Sequence, residues 1–406
     1  MLDFLFLMYN LFMEFVNFLV NENDHTFRSK NHILQDIFKD WWEPFCQEYK
    51  NIRPVVYEEV EKFMGCGSKN NGYSVYECED CGNYMFVPFT CKSRFCPSCG
   101  VNSCIRVANE MPTRCLDVKH RHITFTISDE LCSFFQKDRS LLDILFKAAS
   151  NTILSWFKDK NKAEHFVPGI IATLHTFGRD LKWNTHIHML VTEGAMGNIT
   201  EWKSCDFFSF DMLRKRFMTT LLSMLSKVIF SQKFKKLKND LYKRYDNGFY
   251  VHAPKSQFSN VQGAIKYITR YTNRPAMAES RIINYDPNIP SVTYYYDRHE
   301  DGKRVTETVH PFELIKKLII HIPEKGFNMT RYYGIYAMKK QKSRHLKRIK
   351  EKLTKPLKWA DKLFKFFNKN PLICSCGNKL KYQYFVESSS HKFFQLLNPR
   401  LLLMII

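Results

Sequence analysis

An α+β fold is what the sequence predicts: a central antiparallel sheet flanked by helices, preceded by a small helical and zinc-ribbon-like domain. Three observations predict it. Apolar residues recur at helical spacing from residue 32 to about 64, and paired cysteines with Gly and Pro punctuate residues 66–100. From about His120 to Tyr336, short alternating runs are interleaved with longer amphipathic ones.

Taken in order, residues 1–31 are apolar, but no basic stretch precedes them and Asp3 and Glu14 interrupt them. They read as an amphipathic extension rather than a signal peptide or membrane anchor. Ile33, Ile37, Trp41 and Phe45 then stand four apart, a core-facing helical stripe. After the cysteine segment, "HRHITFTI", "IIATLHTF" and "HIHMLVT" read as strands, and "LLDILFKAASNTILSWF" reads as a helix. From about Met338, "KKQKSRHLKRIKEKL" suggests a basic exposed helix, and the final "QLLNPRLLLMII" is too short to span a bilayer. The expected division is 1–31 extension, 32–115 helical and zinc-binding domain, 116–337 α+β domain, and 338–406 basic tail. No internal repeat is present.

Composition narrows the function. The 406 residues carry 61 Lys+Arg against 40 Asp+Glu, a formal charge of +21, which favours a polyanionic partner such as DNA. Thirteen cysteines, four of them in two C-x-x-C pairs, indicate metal ligands in a reducing compartment and argue against a secreted disulfide scaffold. Neither a membrane role nor secretion is expected.

Three constellations carry chemistry. Cys78-x2-Cys81 and Cys96-x2-Cys99, each followed by Gly, offer four thiolates at nearly the spacing of a zinc ribbon. Cys66 and Cys91 could replace a ligand or complete a second site, and Lys92 and Arg94 in the same region could meet phosphates. His186 and His188 stand at i and i+2 of a strand and therefore share a face, as a divalent ion requires. If "IIATLHTF" pairs antiparallel through the turn "GRDLKWN", His175 joins that face as the candidate third ligand. Asp180 in the turn is the alternative and Glu193 a weaker one. Magnesium prefers oxygen donors, so Mg²⁺ or Mn²⁺ is the expected ion.

In "VQGAIKYITRYTNRP", Val261, Ala264, Ile265 and Ile268 make a buried helical stripe. Tyr267 and Tyr271, four apart, lie to one side of it, with Lys266, Arg270 and Arg274 around them and Lys182 in the strand turn as cations suited to phosphate. Paired aromatics at this spacing are common helix packing. Their combination with a histidine pair is what suggests phosphotransfer at DNA.

The ordered blocks "CKSRFCPSCG", "HRHITFTI", "LHTFGRDLKWNTHIHMLVTEG", "YITRYTNRPAMAESRI" and "HIPEKGFNMTRYYGIYA" resemble the two-tyrosine HUH transposases of the ninety-one-type bacterial insertion sequences over roughly residues 35–338. The resemblance implies an N-terminal transposase zinc-binding domain and an HUH endonuclease domain whose sheet carries the histidines and whose helix carries the tyrosines. It implies His186 and His188 as the metal pair, Tyr267 and Tyr271 as nucleophiles, and rolling-circle-like transposition of single-stranded DNA through a 5′-phosphotyrosine in the bacterial cytoplasm. A departure concerns Cys374 and Cys376. The family often has a C-x2-C there, and the single residue Ser375 between them makes a two-ligand knuckle doubtful. The alternatives are a relaxase or replication-initiator nickase, and a non-catalytic zinc-containing DNA-binding protein.

Overall fold

The computed structural model describes residues 32–254, 258, 261–272, 274–298, 301–337 and 372–387. The expected N-terminal extension lies outside these residues, as does the basic tail apart from 372–387. In chain order the elements are helices α1 (Ile33–Glu48) and α2 (Pro54–Met64), strands β1 (Gly72–Glu77) and β2 (Tyr84–Pro88), helix α3 (Pro97–Glu110), strand β3 (His120–Thr126), and helices α4 (Asp129–Lys137) and α5 (Leu141–Lys158). There follow strands β4 (Gly169–Phe177), β5 (Trp183–Thr192), β6 (Gly194–Ala195) and β7 (Lys203–Ser204), helices α6 (Phe210–Leu225) and α7 (Gln232–Arg244), strand β8 (Val251–His252) and helix α8 (Val261–Thr272). The last are β9 (Ile282–Tyr285), β10 (Val292–Asp297), β11 (Arg304–Val309), helix α9 (Pro311–Ile319), β12 (Thr330–Gly334) and β13 (Lys381–Glu387).

Contacts divide the chain into two compact units that interleave along the sequence. In the first, described over 61–91 and 372–387, an antiparallel sheet has the order β13-β1-β2. Tyr73 and Val75, two apart on β1, turn inward with Phe86 and pack against Tyr384 and Val386. This apolar cluster is small, so the unit needs a further source of stability.

The second unit, 33–60 and 92–353, is built on an antiparallel sheet of order β12-β4-β5-β3-β8. Alternation gives its strands two apolar faces. Ile123, Phe125, Ile170, Leu174, Ile187 and Met189 pack on one side with Leu131 of α4, Phe146 and Ile153 of α5, and Phe217 and Leu221 of α6. Burying each such side chain contributes about 1.5–3 kcal/mol. On the other side, Ile171 and Leu190 meet Ala264, Ile265 and Ile268 of α8 with Ile335 and Tyr336. The predicted helical stripe of α8 is therefore its sheet-facing side, over the described residues Ala264, Ile265 and Ile268.

A second antiparallel sheet, β9-β10-β11, belongs to the same unit. The Trp41 indole of α1 donates to Tyr285 Oη at 3.1 Å, and that hydroxyl donates to Asp40 at 2.6 Å. The buried face of α1 differs from the expected stripe: Leu34, Ile37, Phe38, Trp42 and Phe45 are covered, whereas Ile33 and Trp41 are only partly so. A strict spacing of four drifts about 40° per step around a helix, which carries Ile33 to the margin. Trp41 stays at the edge because its indole nitrogen bonds Tyr285.

Candidate active site

The turn between β4 and β5 sets the register of the site. Gly178 N–H donates to the Lys182 carbonyl at 3.0 Å, and buried Leu181 takes a left-handed backbone conformation at φ 64°. Asp180 stays in this turn, its Oδ1 accepting from Lys182 N–H at 3.2 Å and its Oδ2 3.1 Å from Lys182 Nζ. The turn places His175 opposite His186 and Thr173 opposite His188. Directly opposed residues share a face, so three imidazoles converge, with ring nitrogens of His175, His186 and His188 within 4.8 Å of one another. Glu193 lies elsewhere, in a buried ion pair with Arg121 at 2.7 Å.

A fourth imidazole joins them. On β3, Thr124 is opposite His188, so His122, two residues away, points to the same side. His122 Nε2 lies 2.9 Å from His188 Nδ1, and Thr124 Oγ1 lies 3.3 Å from the same atom. His186 Nδ1 donates to the Asn184 carbonyl at 2.9 Å. With both Nδ1 atoms engaged, Nε2 is the nitrogen that His186 and His188 present to a ligand. His122 was not singled out from the sequence. The alternation of His120, His122, Thr124 and Thr126 carried the signal, but using it required the β3–β5 register.

Helix α8 lies over this face. The Tyr267 ring is 4.9 Å from that of His122, edge to face at 67°, and Phe258 flanks it at 5.3 Å. Tyr267 therefore stands over the imidazole that bonds His188. The backbone of α8 carries Tyr271, Lys266 and Arg270, but their side chains lie outside the described residues. Arg274 is exposed just beyond the helix.

Burial sets the charge of the cluster. It holds His188 well below the ordinary imidazole value, reinforced by His175, His186 and His122 around it. It lowers His186 as well, and pushes His122 down to about 4 with help from His252. Neutral imidazoles carry the lone pairs that bind metals. Three nitrogen donors with oriented rings suit a divalent ion that accepts nitrogen, and Mn²⁺ fits this donor set better than Mg²⁺.

The cysteines of the expected ribbon separate. In the first unit, the Sγ atoms of Cys78 and Cys81 cluster with those of Cys374 and Cys376. Also there, Cys91 N–H lies 3.2 Å from Cys66 Sγ. In the second unit, Cys96 and Cys99 are buried at the start of α3, where Gly100 N–H donates to the Cys96 carbonyl at 2.8 Å. Among the candidate phosphate contacts, Lys92 and Lys182 are exposed. Arg94 is partly buried, and desolvation lowers it to about 10, which still leaves a cation near neutral pH.

The family model Y2_Tnp ("Putative transposase") matches residues 169–344, and the "Transposase zinc-binding domain" matches residues 37–127. The chain is 27% identical to the "Transposase for insertion sequence element IS801" of Pseudomonas savastanoi pv. phaseolicola, over 82% of this chain and 85% of that one. It is 24% identical to the "Putative transposase y4qJ" of Sinorhizobium fredii (strain NBRC 101917 / NGR234), over 74% of this chain and 79% of that protein. No solved structure matches it. Among the described residues, no helix is long and apolar enough to cross a membrane.

Proposed function

Because the chain is a transposase of the IS91 family, we propose that it cleaves and rejoins single-stranded DNA at insertion-sequence ends through a 5′-phosphotyrosine, in rolling-circle-like transposition. One observation carries the reading: Tyr267 stands 4.9 Å from His122, which bonds a member of the three-imidazole cluster on the same sheet face. The proposed nucleophile thus lies on the same sheet face as the proposed metal-binding group.

His175, His186 and His188 would hold Mn²⁺ or Mg²⁺, and a bound ion of this kind supplies Lewis-acid polarisation of a phosphate oxygen. The remaining steps belong to the chain. Tyr267 Oη loses its proton and attacks phosphorus, the P–O3′ bond breaks, and the departing 3′ oxygen takes up a proton. The 5′ end stays linked to the tyrosine, so the phosphoester's energy is kept for rejoining without a nucleotide cofactor. Tyr271, one helical turn away, is the second nucleophile for the other end or the target. Lys92, Arg94, Lys182, Lys266, Arg270 and Arg274 are assigned to backbone phosphates.

Structural zinc belongs to the cysteine-rich segment. Cys91, Cys96 and Cys99 follow one another at C-x4-C-x2-C spacing, a run of thiol donors suited to zinc.

The test is covalent capture. Purified protein with Mn²⁺ or Mg²⁺ and a labelled single-stranded element end forms an adduct on the 5′ side of the nick. Replacing Tyr267→Phe and Tyr271→Phe together abolishes it. An undiminished adduct in that double variant rejects the assignment.

A further inference from the structure

Cys374 and Cys376 fall outside the zinc-domain match at 37–127, and one intervening residue is fewer than a two-ligand knuckle ordinarily has. The fold nevertheless brings them to Cys78 and Cys81, with all four Sγ atoms within 4.8 Å. Cys78 Sγ is 3.6 Å from Cys376 Sγ, and Cys81 Sγ is 3.5 Å from Cys374 Sγ. Four sulfurs arranged tetrahedrally at about 2.3 Å from a zinc ion are about 3.8 Å apart. A disulfide would bring two of them to about 2.05 Å. The observed spacing is that of a metal cage.

The backbone repeats one device twice. At the first pair, Cys78 N–H donates to the Asn83 carbonyl at 2.9 Å and Gly82 N–H to the Cys78 carbonyl at 2.8 Å. At the second, Cys374 N–H donates to the Asn378 carbonyl at 2.8 Å and Gly377 N–H to the Cys374 carbonyl at 2.9 Å. The missing residue between the second pair is matched by a loop one residue shorter, so the spacing does not prevent a knuckle. Gly82 and Gly377 lie at φ 71° and 89°, where glycine is favoured.

Strand pairing delivers the second pair. Strand β13 runs antiparallel to β1 from Gly72↔Glu387 to Glu77↔Lys381. Tyr76, Met85 and Leu380 pack behind Cys78 and Cys374. Exposed Cys81 and Cys376 leave the cluster open to an arriving ion.

We propose that Cys78, Cys81, Cys374 and Cys376 bind one structural zinc as a tetrathiolate, so that the ribbon begun by β1 and β2 is completed by a segment reaching 298 residues further on. Zinc then supplies folding energy that the small apolar cluster of this unit lacks. The site stands apart from strand cleavage, and its test does not read nicking.

The zinc-loaded full chain is treated with iodoacetamide across a chelator titration, and each cysteine is followed by mass spectrometry. Cys374 and Cys376 are protected at the start and become reactive at the same chelator concentration as Cys78 and Cys81. In a Cys374→Ser, Cys376→Ser variant, one zinc equivalent per chain is lost and Cys78 and Cys81 become reactive while Cys96 and Cys99 stay protected. Alkylation of Cys374 and Cys376 in the fully loaded wild-type chain overturns the proposal, as does unchanged zinc content in the variant. The wild-type titration decides the matter even if the variant does not fold.

Discussion

At the scale of residues, the histidine cluster is a set of imidazoles oriented by neighbours, with His186 Nδ1 held by the Asn184 carbonyl and His188 Nδ1 facing His122. His122 meets His188 at Nδ1, so the role proposed for it is to orient that ring. His188→Ala is expected to lower nicking by at least about 100-fold with Mn²⁺ affinity, whereas His122→Asn is expected to weaken Mn²⁺ binding about 10- to 100-fold. Calorimetry or paramagnetic resonance reads both, and a wild-type affinity in His122→Asn would remove the orienting role. Two other buried histidines are expected to contribute to acid sensitivity. His120, bonded to Tyr336 Oη at 2.6 Å, and His321, whose ring stacks on Trp183, are both pushed down to about 4 by burial. The unfolded chain binds these protons below about 6.5 and the folded chain does not, so stability is full above that pH and falls as pH drops toward 4. The loss approaches about 3 kcal/mol per histidine. Urea midpoints measured from pH 7 to 5 should decline, and less so after His321→Gln. The pair His186 and His188 was legible because i and i+2 on any strand share a face. His122 was not, because its side of the sheet depends on which residue of β5 it opposes.

At the scale of elements, helix α8 decides whether the phenols meet the imidazoles. Its described apolar residues Ala264, Ile265 and Ile268 seat it on Ile171 and Leu190, the face that also carries the histidines. Ile268→Ala should cost about 2–5 kcal/mol through the cavity it leaves, and should reduce adduct formation without altering any reacting group. Thermal unfolding and the capture assay together check this; an unchanged melting temperature would deny the packing. Strands β3, β4 and β5 were readable as short β-prone runs bounded by turn residues, although the sheet is covered on both faces. Their pairing was anticipated only as a condition on the turn, and the left-handed Leu181 within it is a conformation that no hydropathy pattern reports. Cys374 and Cys376 were set in doubt by their spacing for a similar reason. Knuckle geometry depends on loop hydrogen bonds that spacing does not reveal.

At the scale of the molecule, a charge of +21 on 406 residues predicts strongly salt-dependent DNA binding. For single strands the slope of log K against log salt is about −0.7 per phosphate neutralised. Six such contacts, one for each basic residue assigned above, would give a slope near −4. Fluorescence anisotropy with an oligonucleotide at several salt concentrations measures it, and a slope shallower than about −1 would contradict a mainly electrostatic footprint. Linear composition suggested consecutive domains, yet β13 lies in the same unit as β1 because backbone hydrogen bonding ignores separation in sequence.

Residue order alone was enough for the α+β class, the paired strand histidines, the apolar stripe of α8 and the affinity for a polyanion. Each follows from local periodicity or from summed charge, which survive without knowledge of long-range contacts. Tertiary structure alone decided that His175 faces His186, that His122 bonds His188 beneath Tyr267, and that Cys374 and Cys376 close on Cys78 and Cys81. Those are matters of register and pairing, where a shift of one residue turns every side chain to the opposite face.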